Sequence, residues 1–298
     1  MCDLLCATPE ATGGVMLFAK NSDRPPTEAQ VWEWHPPAPE ERTMATHVPV
    51  DWSGAPAKTW FGVFGSRPEW GWGLEHGVND IGLAAGNATI YTTDDPRGAP
   101  DGLTGMDIVR LVLSRCSHVA EAVELAVWLL RHVGQGGSGH EGARRPYWSS
   151  FLFADPRDAV VLETSGRDFA IERVRGVRAI SNRTTIPSFD AVRRHPNQPV
   201  ERLVDPRLEA SRRVLAERPV SVEALEAHLA SHEGGDDGWT VCMHVDADGH
   251  AEATTSSMVA ELPRGRFPIV HHALGSPCQA AWSTVDLGDH STAVWVEL

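Results

Sequence analysis

The chain has 298 residues, 42% of them hydrophobic and 22% charged, the balance of a soluble globular protein large enough to close a core without metals or disulfides. Twenty-six Lys and Arg stand against 40 Asp and Glu, a net charge of -14, which argues against nucleic acid or an anionic membrane as a partner. No apolar run approaches a membrane span, and no basic leader with an apolar stretch opens the chain. The cysteines at 2, 6, 116, 242 and 278 are odd in number and scattered, so reduced thiols in a cytoplasm are expected.

In chain order, CDLLCA, TPEATGG and VMLFAKN read as strand, turn and strand. A turn centred between Ala11 and Thr12 sets Cys2 opposite Asn21, with Asp23 one pleat further on. Residues of one parity share a face, so Asn21 and Asp23 are expected beside Cys2 and Lys20 on the other side. Residues 31–65, rich in Trp, Pro and His, read as irregular strand and loop. WGWGLEHGVNDIGLAAGNATIY is a hairpin with turn chemistry at Asn79, Asp80 and Gly82, and TTDDPRGAPDG is a loop. Apolar spacing predicts helices over GMDIVRLVLSRC and HVAEAVELAVWLLRHVG, the second stopped at Gly134.

Strands return after the loop QGGSGHEG, at WSSFLFAD, AVVLET, DFAIERV and VRAIS. A second helical pair is expected over 206–217 and 221–231, then a hairpin of TVCMHVD and AEATTSSMVAEL about the turn ADGH, and strands near 268–273 and 293–297. Hairpin-clustered strands with helices in adjacent pairs argue against a parallel βαβ sheet. They fit an α+β fold, one domain over residues 1–298, with two antiparallel sheets carrying helix pairs on their outer faces.

Cys2 directly follows the initiator methionine. Met1 is commonly removed before so small a residue, which would leave a thiol and an α-amine of pKa about 8 on one amino acid. That amine can accept the thiol proton. The plain alternative is a small buried residue opening a strand.

CDLLCA followed by VMLFAKNSDRPPTEAQ resembles the opening of the secernins, a branch of the cysteine dipeptidase group within the N-terminal-nucleophile hydrolases. GLTGMDIVRLVLSRC, HVGQGG, WSSFLFADPRDAVVLETSG, AISNR, TVCMHV, TTSSMVAEL and GSPC are similar to secernin segments in the same order, to about residue 280. The resemblance implies a four-layer αββα sandwich and amide hydrolysis through a thioester on Cys2, with no cofactor. FAKNSDR is more distantly similar to bile-salt hydrolases and penicillin V acylases, which hold their N-terminal cysteine with a downstream Arg and Asp. By position Asp23 matches that Asp and would bind the α-amine. Lys20 matches the Arg but lacks its planar fork. Asn87 in AAGNATI falls where the wider group places an oxyanion-hole asparagine, and Asn182 in AISNR matches a second asparagine holding the nucleophile or the oxyanion. Arg212, in EASRRVL, is the candidate for a distant arginine of the same constellation, against a solvated surface role.

Asn21, Trp70 and Trp72 are candidates for the substrate wall, the two tryptophans because they precede Asn87 on one hairpin. Cys116, Cys242 and Cys278 read as idle thiols. DADGH lacks the length and closing Glu of a calcium loop, and the histidines show no metal spacing. The resemblance favours dipeptides or short peptides with a free N-terminus, an N-acyl amide is the enzyme alternative, and a non-catalytic secernin-like binding protein is the third reading. An acidic cavity mouth would favour a peptide amine; a Trp-lined apolar cleft would favour an acyl chain. Activation requires methionine aminopeptidase as a maturation partner, and a homo-oligomer is compatible with everything above.

Overall fold

β1 (Cys2–Ala7) and β2 (Met16–Arg24) are joined by one helical turn, α1 (Pro9–Thr12), in a computed structural model that describes residues 1–37, 48–56, 59–142, 144–247 and 250–288. Gly13 and Gly14 end that turn at φ 87° and 151°, left-handed backbone that glycine adopts without a Cβ clash. The turn shifts the hairpin by one residue from the expected register: Cys2 pairs with Ser22, Asp3 with Asn21 and Leu4 with Lys20. A one-residue slip exchanges the two faces of a strand. Lys20 and Ser22 therefore share the face of Cys2, while Asn21 and Asp23 share that of Asp3.

These strands belong to an antiparallel sheet ordered β10 (Val177–Ile180), β1, β2, β12 (His250–Leu262), β13 (Ile269–Leu274) and β14 (Ser283–Asp286), with β11 (His244–Ala247) also paired to β12. The second sheet follows chain order: β3 (Gln30–His35), β4 (Val63–Pro68), β5 (His76–Asn79), β6 (Ala84–Ile90), β7 (Trp148–Ala154), β8 (Ala159–Ser165) and β9 (Asp168–Arg173). All pairings are antiparallel. A bulge between Thr254 and Ser256 interrupts the β12–β2 ladder.

Apolar alternation fills three layers. Leu4, Cys6, Met16, Phe18, Met258 and Ala260 face Val78, Ala84, Ala88 and Leu152 between the sheets. The second sheet's outer face packs on α2 (Gly105–Arg115) and α3 (Val119–His132) through Ala85, Leu111, Leu125, Phe151 and Phe153. The first sheet's outer face packs on α6 (Asp205–Ala216) and α7 (Val222–Leu229) through Leu5, Leu17, Leu208 and Leu225. This is the αββα sandwich expected. The short helices α4 (Pro187–Arg193) and α5 (Val200–Leu203) and strand β14 were not foreseen. The strand expected at 293–297 lies outside the described residues.

Gly86 lets the two sheets approach. A Cβ there would stand 2.8 Å from Lys20 Cδ and 3.0 Å from Leu4 Cδ2. Gly86→Ala should cost about 1–3 kcal/mol in urea unfolding, the usual penalty of overpacking, and should displace the Lys20 stem.

Candidate active site

The apolar layers turn polar at one end of the sandwich. Cys2, at the start of β1, is 7% exposed and borders a cavity of about 560 Å³ lined also by Met1, Asp23, Glu75, Asn87, Thr89, Tyr91, Arg145, Tyr147 and Glu252. Between the sheets, Lys20 Nζ donates to Cys2 Sγ at 3.6 Å, donates to Ser22 Oγ and lies 3.5 Å from Glu75 Oε2. Lys20 is fully buried, so Glu75 is the charge that holds its ammonium there. Burial works against the Glu75 carboxylate, but Arg24 and then Lys20 outweigh it and keep its pKa below the usual range. Burial pushes the Cys2 thiol up, while Lys20 and the chain's amino terminus pull it back. Ser22 Oγ continues to His76 Nδ1 at 3.0 Å, and burial followed by Lys20 keeps that imidazole neutral by lowering its pKa well below normal.

On the helix side of the same sheet, α6 delivers Arg207, fully buried. Its Nη1 pairs with Asp3 Oδ2 at 2.5 Å and lies 4.0 Å from Asp23 Oδ2, and its Nη2 donates to Asn182 Oδ1 at 3.0 Å. Asn182 Oδ1 also accepts from Cys2 N at 2.9 Å, and Asn182 Nδ2 donates to Thr89 O at 2.9 Å. The amide of Asn182 thus ties the Cys2 nitrogen to the Thr89 carbonyl and to Arg207. Asp23 Oδ1 accepts from Thr254 Oγ1 at 2.6 Å, whereas Asp23 Oδ2 is buried without a hydrogen bond. Burial pushes the Asp23 carboxyl up to about 6 against the pull of the amino terminus and Arg207. Asn87 is 3% exposed and its Oδ1 has no hydrogen-bond partner, so its amide is not fully spent on the fold.

Met1 occupies part of the cavity. Its ammonium donates to Asp23 O and to Glu252 Oε2, both at 3.1 Å. Burial alone would lower the pKa of that amine, but Glu252, with help from Cys2 and Asp23, raises it to about 10.

Several expected positions are corrected. Asn21 faces the helix layer, where its amide donates to Leu229 O and Val241 O and accepts from Ser257; it lies outside the cavity. Lys20, expected on the far face, is the residue beside the thiol. Arg212 is exposed, with a side-chain accessibility of 55% and only Glu209 at 3.7 Å; the buried arginine is Arg207, five residues earlier. Helical spacing carries the signal for it, since Val204, Arg207, Leu208, Ser211 and Leu215 fall on one face and are buried, while Arg212 and Arg213 fall opposite. Neither tryptophan lines the cavity. Trp70 donates to Glu28 Oε2 at 2.9 Å, and Trp72 stacks under the Arg110 guanidinium, 4.3 Å from its ring centroid. Glu75 just before β5, His76 at its start and Glu252 in β12 belong to no sequence motif that marks them.

No protein-family model matches the chain. Two variants of the conjugated bile acid hydrolase of Clostridium perfringens are similar in structure, each with a TM-score of 0.58 and 14% identity, over 97% of this chain and 93% of theirs. An N-acylethanolamine-hydrolyzing acid amidase ortholog of Caenorhabditis elegans is similar with a TM-score of 0.50 and 12% identity, over 87% of this chain and 92% of that one. The chain has the fold of these hydrolases.

Arg207→Met should cost about 3–5 kcal/mol in denaturant unfolding, because it strands the Asp3 and Asp23 carboxyls in the interior, while Arg212→Ala should stay within about 0.5 kcal/mol. The raised Asp23 pKa means that the folded chain holds a proton that the unfolded chain releases earlier. Its stabilising contribution is complete below about pH 4 and is lost as pH rises through about 6. Relative to Asp23→Asn, the parent protein should therefore lose on the order of 2–3 kcal/mol between those limits, measured by urea melts at each pH.

Proposed function

We propose that the protein is an N-terminal-cysteine amide hydrolase acting on dipeptides or short peptides with a free amine. The observation that carries this reading is the Glu252 carboxylate, which grips an ammonium beside the Cys2 thiol. With Met1 removed, the Cys2 nitrogen becomes an α-amine still within reach of Asn182 Oδ1, and Asp23 Oδ2, which takes part in no hydrogen bond among the described residues, is an acceptor for its protonated form. The vacated space leaves Glu252 to a substrate's amine, and Arg145 at the cavity wall is of the right sign for a peptide carboxylate. Among the described residues, three acidic side chains and no tryptophan line the cavity, which weighs against a long acyl chain.

The steps follow from these positions. The Cys2 amine takes the thiol proton, and Lys20 Nζ holds the thiolate by a charge-assisted contact. Sγ attacks the amide carbonyl, and Asn87 donates to the developing oxyanion. The ammonium of Cys2 then protonates the departing amine as the C–N bond breaks. Water, deprotonated by the same amine, hydrolyses the thioester and restores the thiol. With Met1 in place the Cys2 nitrogen is an amide and cannot take the thiol proton.

The test uses protein whose mass shows that Met1 is gone, assayed against dipeptides, their N-acetyl forms and N-acyl amides. Cys2→Ala should lower dipeptide turnover by about 10⁴-fold or more. Glu252→Gln should raise KM for free-amine dipeptides by about 10–100-fold, the worth of one charge-assisted hydrogen bond, without changing N-acetyl substrates. Equal or better turnover of N-acyl amides overturns the peptide reading in favour of an acylase. Absence of turnover on all three sets, with Cys2 still reacting fast with a thiol reagent, points to a binding protein.

A further inference from the structure

Far along the sequence from the nucleophile, three separate segments bring two thiols and two imidazoles together. His232 follows the end of α7, Cys242 lies two residues before β11 and His244 opens it, and Cys278 lies in the loop after β13. His244 Nε2 is 3.4 Å from Cys242 Sγ and 3.2 Å from Cys278 Sγ. The His232 ring meets that of His244 edge-on, centroids 5.1 Å apart. One donor atom from each of the four lies within 4.8 Å of every other.

We propose that His232, Cys242, His244 and Cys278 form a structural zinc(II) site. A tetrahedral zinc ion, with bonds of about 2.3 Å to sulfur and about 2.0 Å to nitrogen, needs its donors about 3.3–3.8 Å apart, and the two measured S···N separations already lie near this range. The soft S₂N₂ donor set excludes calcium and magnesium, which take oxygen, and four protein ligands close the coordination sphere of a structural rather than a catalytic centre. On loading, the ion enters as two thiol protons leave, so the Zn(Cys)₂(His)₂ unit is neutral and its affinity rises with pH.

The backbone around the cluster is built to present it. Cys242 N donates to Ser231 O at 2.8 Å and Val241 N to Glu233 O at 2.9 Å, which ties His232 alongside Cys242. Gln279 N and Ala280 N both donate to Ser276 O, a turn that carries Cys278, and Gly275 N docks the loop on Thr255 O at 2.8 Å. Thr254 lies between these segments. Its Oγ1 accepts from Met243 N at 2.8 Å, its carbonyl accepts from Ser276 Oγ at 2.9 Å, and its hydroxyl donates to Asp23 Oδ1. Met243 separates two of the ligands, and Ser276 precedes the fourth by two residues. The ion would therefore clamp the chain that holds the Asp23 carboxyl in place, a positioning role independent of which amide the protein cleaves.

The test is metal content and spectroscopy, neither of which needs a substrate. Full-length protein purified under reducing conditions should carry one zinc per chain by elemental mass spectrometry. After chelation and reloading with Co²⁺ alone, it should show thiolate-to-cobalt charge transfer and the intense visible bands of a tetrahedral site. Cys278→Ser should lose about half of the charge-transfer intensity, one of two thiolates being gone. His232→Ala, at an exposed position where folding is not at stake, should bind zinc at least tenfold more weakly, and zinc should raise Tm less in it than in the parent. Failure of the reduced, stripped protein to take up one equivalent of metal overturns the proposal, and a Cys242–Cys278 disulfide found together with that failure reassigns the cluster as a redox pair. A cobalt spectrum unchanged in both variants overturns it as well.

Discussion

The buried guanidinium of Arg207 is the interaction on which the polar end of the molecule depends. It lies beneath the first sheet with its Nη1 2.5 Å from Asp3 and 4.0 Å from Asp23, so one positive charge serves both carboxyls. Its fork reaches Asn182 at the same time, so one side chain joins the first strand, the second strand and the end of β10. Charges buried this deeply are tolerated only when each has its partner and its hydrogen bonds. The position of Cys2 is a consequence, since its backbone nitrogen is fixed by the very amide oxygen that Arg207 orients.

A parallel arrangement exists on the other face of the same two strands. Lys20, Ser22 and His76 continue the line of Cys2 between the sheets, with Glu75 as counter-charge and Arg24 behind it. Two polar networks thus lie on opposite faces of β1 and β2. The result is a thiol in a low-dielectric setting with a fixed cation at its side and a fixed acceptor below its nitrogen. Such preorganisation is what acyl transfer demands, because little is left to rearrange when charge moves.

The four layers, most strand positions and helices α2, α3, α6 and α7 were legible because alternation of period two and stripes of period 3.6 are local properties of the chain. That Cys2, Asp23 and Asn182 lie together was implied by the resemblance of the segments that carry them. The hairpin register was not, because TPEATGG folds its proline and two glycines into a helical turn rather than a tight reversal, and half a residue in the centre of a turn decides which face every side chain takes. The helical face marks Arg207 rather than Arg212, because Leu208, Ser211 and Leu215 are buried with Arg207 while Arg212 lies opposite. Trp70 and Trp72 were misplaced for a different reason: proximity along a hairpin says nothing about which side chain reaches a cavity. The gathering of His232, Cys242, His244 and Cys278 joins three loops across 47 residues, and no spacing rule foretells it.

The bulge in β12 bears on all of this. On the far side of it, Ser256, Met258 and Ala260 fill the space between the sheets, in register with Ser22, Lys20 and Phe18. On the near side, Thr254 is opposite Asp23 and belongs to the helix layer. In a regular strand two residues of equal parity could not be split in this way. The extra residue acts as a phase change, after which one continuous strand ceases to be a wall of the inner core and becomes the outer layer's support. A fold that must furnish both a cation between its sheets and an anion behind them from the same pair of strands needs some such dislocation, and here it costs one threonine.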